Sequence, residues 1–292
     1  MKNRPTKTWI PSYVKVFILF IAISATSCSR EELETTTDET ASDEVVTDED
    51  LTSRCTTTGY EWLGSSPNNN DNWKLQYQGK EARRVGGDAS FYTIANSRFE
   101  VVGSSCNRLR FRVDDSDPTT SGSSNPRSEL REMRKLSSSG KEKTAGWSYT
   151  STKYIDIDFK VREMTSSGRL SVAQIHSGQD DISQISVDKL SNGKYKVSLI
   201  VEGDDGPEYK TLYDNASSGT RFKIRMKIEG KKVKARKLTS GSSYTSAVTI
   251  KNSSKYRTST CYFKAGAYLI GASSGKAKVE FYKIKTSGAQ SY

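Results

Sequence analysis

"YIDIDFKV", residues 154–161, decides the fold. In it Ile155, Ile157, Phe159 and Val161 alternate with Asp156, Asp158 and Lys160. Apolar residues at every second position make one face of an extended chain; a helix would need them three or four apart. The same rhythm recurs in "RLSVAQIH" (169–176), "QISVDKL" (184–190), "KYKVSLIVEG" (194–203) and "RFKIRMKIEG" (221–230). It continues in "KKVKARKL" (231–238), "CYFKAGAY" (261–268) and "KVEFYKIK" (278–285). Turn formers such as "SNGK", "EGDDGP" and "SSGK" separate these runs. No stretch carries a helical period, and no short repeat is present. Many short strands with Gly/Ser turns predict an all-β fold: a β-jelly roll sandwich of antiparallel sheets, one curved face of which can hold an extended ligand.

The N-terminus stands outside this pattern. Lys2, Arg4, Lys7 and Lys15 precede the short apolar run "VFILFIAISA", which leads into "TSCSR". A basic start, an apolar core and small residues before a cut site predict a secretory signal peptide over residues 1–27. Ala25 and Ser27 before Cys28 resemble a bacterial lipoprotein box, which implies Cys28 as the lipidated first residue of the mature chain. "CSREELE" resembles an export tag for the outer cell surface. The expected location is therefore the outer membrane or cell surface, or otherwise the secreted fraction. Residues 28–57 read as a solvated acidic tether, too poor in apolar groups to offset the entropy of ordering. Residues 58–292 form the predicted domain.

This division sharpens the charge. The chain carries a formal +11; the signal contributes +4 and the acidic segment −8, which leaves +15 on the domain. A strongly basic domain outside the cell suits a polyanion, and an acidic polysaccharide fits that location better than nucleic acid. The alternative is that scattered lysines only maintain solubility. Three cysteines follow Cys28, namely Cys55, Cys106 and Cys261, so at least one thiol is unpaired within the chain. No His/Cys cluster has metal-ligand spacing, and the single histidine, His176, excludes a multi-histidine metal site. No metal and no cofactor is expected.

Alternation also shows which side chains share a strand face. In "NPRSELRE", Arg127, Glu129 and Arg131 project together, against Ser128 and Leu130. In "AQIH", Gln174 and His176 share a face opposed to Ile175. In "YFKAGAY", Tyr262, Lys264, Gly266 and Tyr268 share a face, with Gly266 leaving a gap where a ligand could approach. Each row has a plain reading, as a charge ladder, a hydrogen-bonded pair or an outer sheet face. Their combination is more specific.

"RSELRE", "QIH" and "YFKAGAY", in that order, resemble the three signature segments of the alginate lyases of polysaccharide lyase family 7. "TTSGSSNPRSELREM" resembles the usual lead-in, and "NWKLQ" (72–76) the opening strand; the likeness spans roughly residues 58 to 286. The resemblance implies a jelly roll with a cationic groove, no obligatory metal, and β-elimination beside a uronate. It implies that Arg127 and Gln174 neutralise and hydrogen-bond the C6 carboxylate, that His176 takes the C5 proton and that Tyr268 protonates the leaving oxygen. Arg131 and Lys264 would bind neighbouring uronates or support the site, Glu129 would hold the arginines, and Tyr262 and Ile270 would border the sugar. The chemistry is coherent. A guanidinium beside a carboxylate stabilises the dianion formed when the C5 proton leaves, and such preorganised charge usually contributes most. An imidazole with an ordinary pKa of ~6.5 can accept a proton near neutrality.

One departure concerns Ile270, where the family has a glutamine; it removes a hydrogen bond from a subsite and bears on substrate identity. The isoleucine of "QIH" resembles the variant associated with guluronate-containing blocks. The leading expectation is an endo-acting alginate lyase at the cell surface, a monomer. A lyase for another uronate polymer, ulvan or glucuronan, is the alternative within the same chemistry. A non-catalytic glycan-binding lipoprotein is the alternative of another class, although a binder has no need of a spaced His and Tyr beside Arg and Gln.

Overall fold

The computed structural model describes residues 73–85, 97–103, 107–134, 143–144, 146–165, 167–178, 180–251, 261–272 and 274–287. The predicted signal, Cys28 and the acidic tether lie outside the described residues, as do Cys55 and Cys106. Among the described residues sixteen strands run in chain order. They are β1 (Trp73–Tyr77), β2 (Lys80–Val85), β3 (Phe99–Val102), β4 (Arg108–Asp114), β5 (Arg127–Arg134), β6 (Lys143–Thr144), β7 (Lys153–Met164) and β8 (Arg169–Ser177). Then come β9 (Asp180–Lys189), β10 (Tyr195–Gly203), β11 (Gly206–Ala216), β12 (Arg221–Glu229), β13 (Lys232–Lys237), β14 (Val248–Thr249), β15 (Cys261–Ile270) and β16 (Lys276–Thr286).

They form two antiparallel sheets. The first runs β11-β10-β9-β8-β15-β5-β1-β2, with β6 attached to β5; the second runs β14-β13-β12-β7-β16-β4-β3. Among the described residues there is no helix. The alternating runs read from the sequence all became strands. β11 has no such run, because it is an edge strand whose only fully buried side chain is Leu212.

The inner faces make the core. From the second sheet, Phe111 packs edge-on against Phe281 at 5.5 Å, and Phe281 against Phe159 at 5.7 Å. Phe159 in turn lies 5.2 Å from Phe222. The first sheet answers with Leu130, Ile175, Leu199, Phe263 and Ala267, all fully buried. Because every strand alternates, the face opposite this core is left for polar chemistry.

β15 sits at the middle of the first sheet, between β5 and β8. Its pairing with β5 is regular: Lys264 opposes Arg131, Gly266 opposes Glu129 and Tyr268 opposes Arg127. Against β8 the register slips between Ala265 and Tyr268, where β15 has one residue more than its partner. Gly266 sits there at φ 151°. A β-carbon on it would lie 2.5 Å from Glu129 Cα and 2.6 Å from the Ser128 carbonyl oxygen. The gap expected for a ligand is thus taken by the backbone of β5, and the glycine allows two strands to approach closely. Gly266→Ala should cost at least about 1–3 kcal/mol through backbone strain alone, read as a lower urea midpoint; an unchanged midpoint would show that β5 can yield.

Candidate active site

The register carries the three predicted rows onto one surface. Across the first sheet, Arg131 of β5, Lys264 of β15, Gln174 of β8 and Gln184 of β9 lie opposite one another in succession. Two rows along, past the Glu129–Gly266 pair, Arg127 opposes Tyr268, and Tyr268 opposes Ser171. On the other side, Tyr262 opposes His176, and His176 opposes Asp181. Arg127, Glu129, Arg131, Gln174, His176, Tyr262, Lys264, Tyr268 and Ile270 thus share the outer face of three adjacent strands.

Their depths differ. Arg127, Glu129, Gln174, Tyr262 and Lys264 are buried, whereas Arg131, His176, Tyr268 and Ile270 are half-buried. Glu129, only 2% exposed, is the anchor. Its Oε1 accepts from Arg127 Nη1 at 2.8 Å and from Lys264 Nζ at 2.8 Å. It therefore holds one arginine and the lysine, not the arginine pair expected from the sequence. Arg131 lies instead over the Tyr262 ring, 4.3 Å from its centroid. That ring also stacks on His176 at 5.0 Å and 18°. Tyr262, expected to touch sugar, is 3% exposed and serves as a support for the imidazole and the guanidinium. Lys264, also 3% exposed, lies beneath the surface with its ammonium on Glu129.

Tyr268 is fixed from two sides. Asn125 Nδ2 donates to its hydroxyl at 3.3 Å, and the Arg127 guanidinium lies 4.5 Å from its ring centroid. Arg127 Nη2 in turn donates to Ser123 Oγ. Asn125 also accepts from the Gly271 amide at 3.2 Å, tying the approach to β5 to the end of β15. Strand alternation could not reveal Asn125 or Ser123, since both lie in the turn before β5.

The electrostatics are unusual at two groups. Burial, then the charges of Lys264, Arg131 and Arg127, push the His176 imidazole down to about 2. It is therefore neutral throughout the physiological range, with a lone pair available. Its Nδ1 is buried without a hydrogen-bond partner, as is the Gln174 Nε2. Buried polar groups are usually paired, so the Gln174 amide, on the face shared with His176, is a donor that a ligand oxygen would satisfy. Asp181 is pushed up to about 7, mainly by burial and then by Asp180. Among the described residues no cluster could hold a metal ion. Cys261 is buried and free, and burial pushes its thiol up to about 12, so it takes no part in chemistry near neutral pH.

A jelly roll that gathers a neutral histidine, a tyrosine, a glutamine and buried cations on one sheet face is the frame of a polysaccharide lyase. The chain belongs to the alginate lyase family whose model, Alginate_lyase2, matches residues 68–288. Among solved structures it resembles alginate lyase AlgAT5 of polysaccharide lyase family 7, at 26% identity and a TM-score of 0.58, covering 74% of this chain and 94% of that one. It resembles equally an alginate lyase from Corynebacterium sp., at 25% identity and a TM-score of 0.58, with 74% and 94% covered. The fold is shared with alginate lyase A1-II′, solved as a double variant in complex with substrate (GGMG), at 20% identity, a TM-score of 0.58, and 74% and 92% covered. No curated protein sequence matches.

The depressed histidine has a consequence for stability. Below pH ~6.5 an unfolded chain protonates its imidazole while the folded chain does not, so His176 contributes stability that is present above that pH and lost as pH falls toward about 2. Thermal melts should therefore show wild type losing ground to His176→Gln between pH 7 and pH 4.5. Parallel curves would mean that the surroundings do not keep this imidazole neutral.

Proposed function

We propose that the protein cleaves alginate within its chains by β-elimination, preferring guluronate-containing blocks. The observation that carries this is the register: β5, β15 and β8 bring Arg127, Tyr268, Gln174 and His176 onto one face of three adjacent strands. The solved relatives named as alginate lyases, one of them holding substrate, support the same chemistry.

In this reading a uronate carboxylate settles over the floor made by Arg127, Gln174 and Lys264, with Arg131 at the rim. It gives the Gln174 amide the acceptor that it lacks and compensates the cations around His176. Burial is the larger cause of the low imidazole pKa and those cations add to it, so their neutralisation returns part of its basicity when substrate is bound. Nδ1 is sealed, so Nε2 takes the C5 proton. The C5–H electrons become the C4–C5 double bond, the C4–O bond breaks, and the leaving oxygen takes the Tyr268 proton. Arg127, against the Tyr268 ring, stabilises the phenolate left behind. Where proton and leaving group lie on opposite sides, as in guluronate, base and acid are separate residues. Ile270, half-buried beside Arg169 at the end of β15, lines a neighbouring subsite without offering a hydrogen bond. The basic and apolar run before Cys28 supports a lipid anchor at the cell surface.

The test is absorbance of the unsaturated uronate during incubation with polyguluronate, polymannuronate, ulvan and glucuronan. A rise on the first is expected; no rise on any would leave a glycan binder. His176→Ala and Tyr268→Phe should each lower kcat about 10²–10⁴-fold, the usual worth of a positioned acid or base, with polymer binding kept. Binding lost in step with turnover would contradict their proton-transfer roles. Ile270→Gln should change the ratio of rates on the four polymers while leaving the reaction intact.

A further inference from the structure

The domain's positive charge is not concentrated where the reaction is placed. The strands of the first sheet hold thirteen basic and nine acidic residues; those of the second hold eighteen basic and seven acidic. The cationic groove expected from the sequence accounts for the smaller excess, and the larger one lies on the opposite side of the sandwich.

The outer face of the second sheet is layered. Three of its acidic groups, Asp156, Asp158 and Glu280, are buried, while Glu163 and Glu229 stay near the surface, paired with lysines. Arg225 grips Asp156 through two hydrogen bonds of 2.6 and 2.8 Å, and Arg221 grips Asp158 in the same way. Glu280 is shared by Arg108, Arg110 and Arg162. These arginines also lie on tyrosine rings, Arg225 on Tyr154 and Arg221 on Tyr282, each at 4.0 Å. Around β7 the carboxylates Asp156, Asp158 and Glu280 are thus consumed below the surface, and unpaired lysines stand over them. Lys223 and Lys283 flank Asp158 on either side of β7, and Lys285 opposes Asp156. All three are exposed, and among the described residues none has a carboxylate at ion-pair distance. Strand spacing sets Lys223 and Lys283 about 10 Å apart, and Lys283 and Lys285 about 7 Å apart.

We infer that this face is a second, non-catalytic binding surface for the anionic polysaccharide. It holds one stretch of polymer while another is cut on the opposite sheet; the inference rests on the reading of the enzyme as a uronate lyase. A membrane fits less well. Proteins that lie on anionic bilayers combine cations with inserted apolar side chains, and the one exposed large hydrophobic among the described residues, Tyr209, is on the first sheet. Unpaired ammonium groups about 7–10 Å apart, over buried and paired carboxylates, suit a polymer that carries a carboxylate on every residue. Such a surface raises the local substrate concentration by avidity and loses its effect in salt.

The test compares wild type with the triple variant Lys223→Gln, Lys283→Gln, Lys285→Gln. At low salt kcat/KM on polyguluronate should fall about tenfold or more, the low side of what a second tethering site contributes. Turnover of a guluronate trisaccharide or tetrasaccharide, too short to span both faces, should not change, and high salt should erase the difference on polymer. Equal rates on polymer at low salt, or an equal loss on polymer and oligosaccharide, would overturn the inference. Gel retardation by polyguluronate separates this from the reaction itself. Tyr268→Phe should be retarded as wild type is, and the triple variant less, even if no polymer tested is cleaved. Retardation unchanged in the triple variant, with its co-sedimentation with phosphatidylglycerol vesicles lost, would reassign the face to a lipid surface.

Discussion

The active face depends on one buried carboxylate. Glu129 sits at the closest approach of β5 and β15, and its Oε1 takes hydrogen bonds from both Arg127 and Lys264. Three cations on adjacent strands of one face would repel one another, and Lys264 is almost fully buried. Burial lowers its basicity, while Glu129 acts to restore it. A buried ion pair often contributes little net stability over an apolar replacement, but removing one partner leaves an uncompensated buried charge, at about 3–5 kcal/mol. Glu129 is therefore less a source of stability than the condition under which a positive floor can exist inside a sheet. Gly266 makes that condition geometrically possible, since any side chain there would push the Glu129 backbone away.

That floor explains the histidine. An imidazole in water would be partly protonated near neutrality and useless as a base in that fraction. Here burial first, and then the cations that would receive a carboxylate, keep His176 unprotonated, with Tyr262 stacked on it. In the proposed reaction this links affinity and basicity: the carboxylate that would neutralise the cations is also the group beside the proton to be removed. The unsatisfied Gln174 and His176 nitrogens belong to the same arrangement, since strained or unpaired polar groups persist where the rest of the fold over-determines them.

The two sheets use charge in different ways. On the first, few charges are buried and coupled tightly, and they define a site. On the second, bidentate Arg–Asp pairs stitch β12 to β7 while lysines stay in solvent. Both arise from the same alternating pattern, because a strand that buries one side chain must expose the next. "YIDIDFKV" therefore encodes two things at once, the core residues Ile155, Ile157 and Phe159, and the aspartates that seat Arg225 and Arg221.

Period-two alternation was enough to read the all-β class, the inner residues of most strands and the common facing of Arg127, Glu129 and Arg131, because side-chain direction is a local property of an extended backbone. It also predicted which residues of β8 and β15 would face the site. Alternation is blind to pairing between distant strands, so it could not say that β15 lies between β5 and β8, nor that Gly266 admits a backbone instead of a ligand. It could not see the turn residues Asn125 and Ser123 reaching Tyr268 and Arg127, or an edge strand such as β11 with little to bury. Net charge is a sum over residues and carries no direction, so the excess assigned to a groove proved greater on the far sheet. Depth was likewise invisible: only tertiary packing decided that Tyr262 and Lys264 lie beneath the surface that Arg131, His176 and Tyr268 present, because burial depends on every strand around a residue and not on its own neighbours in sequence.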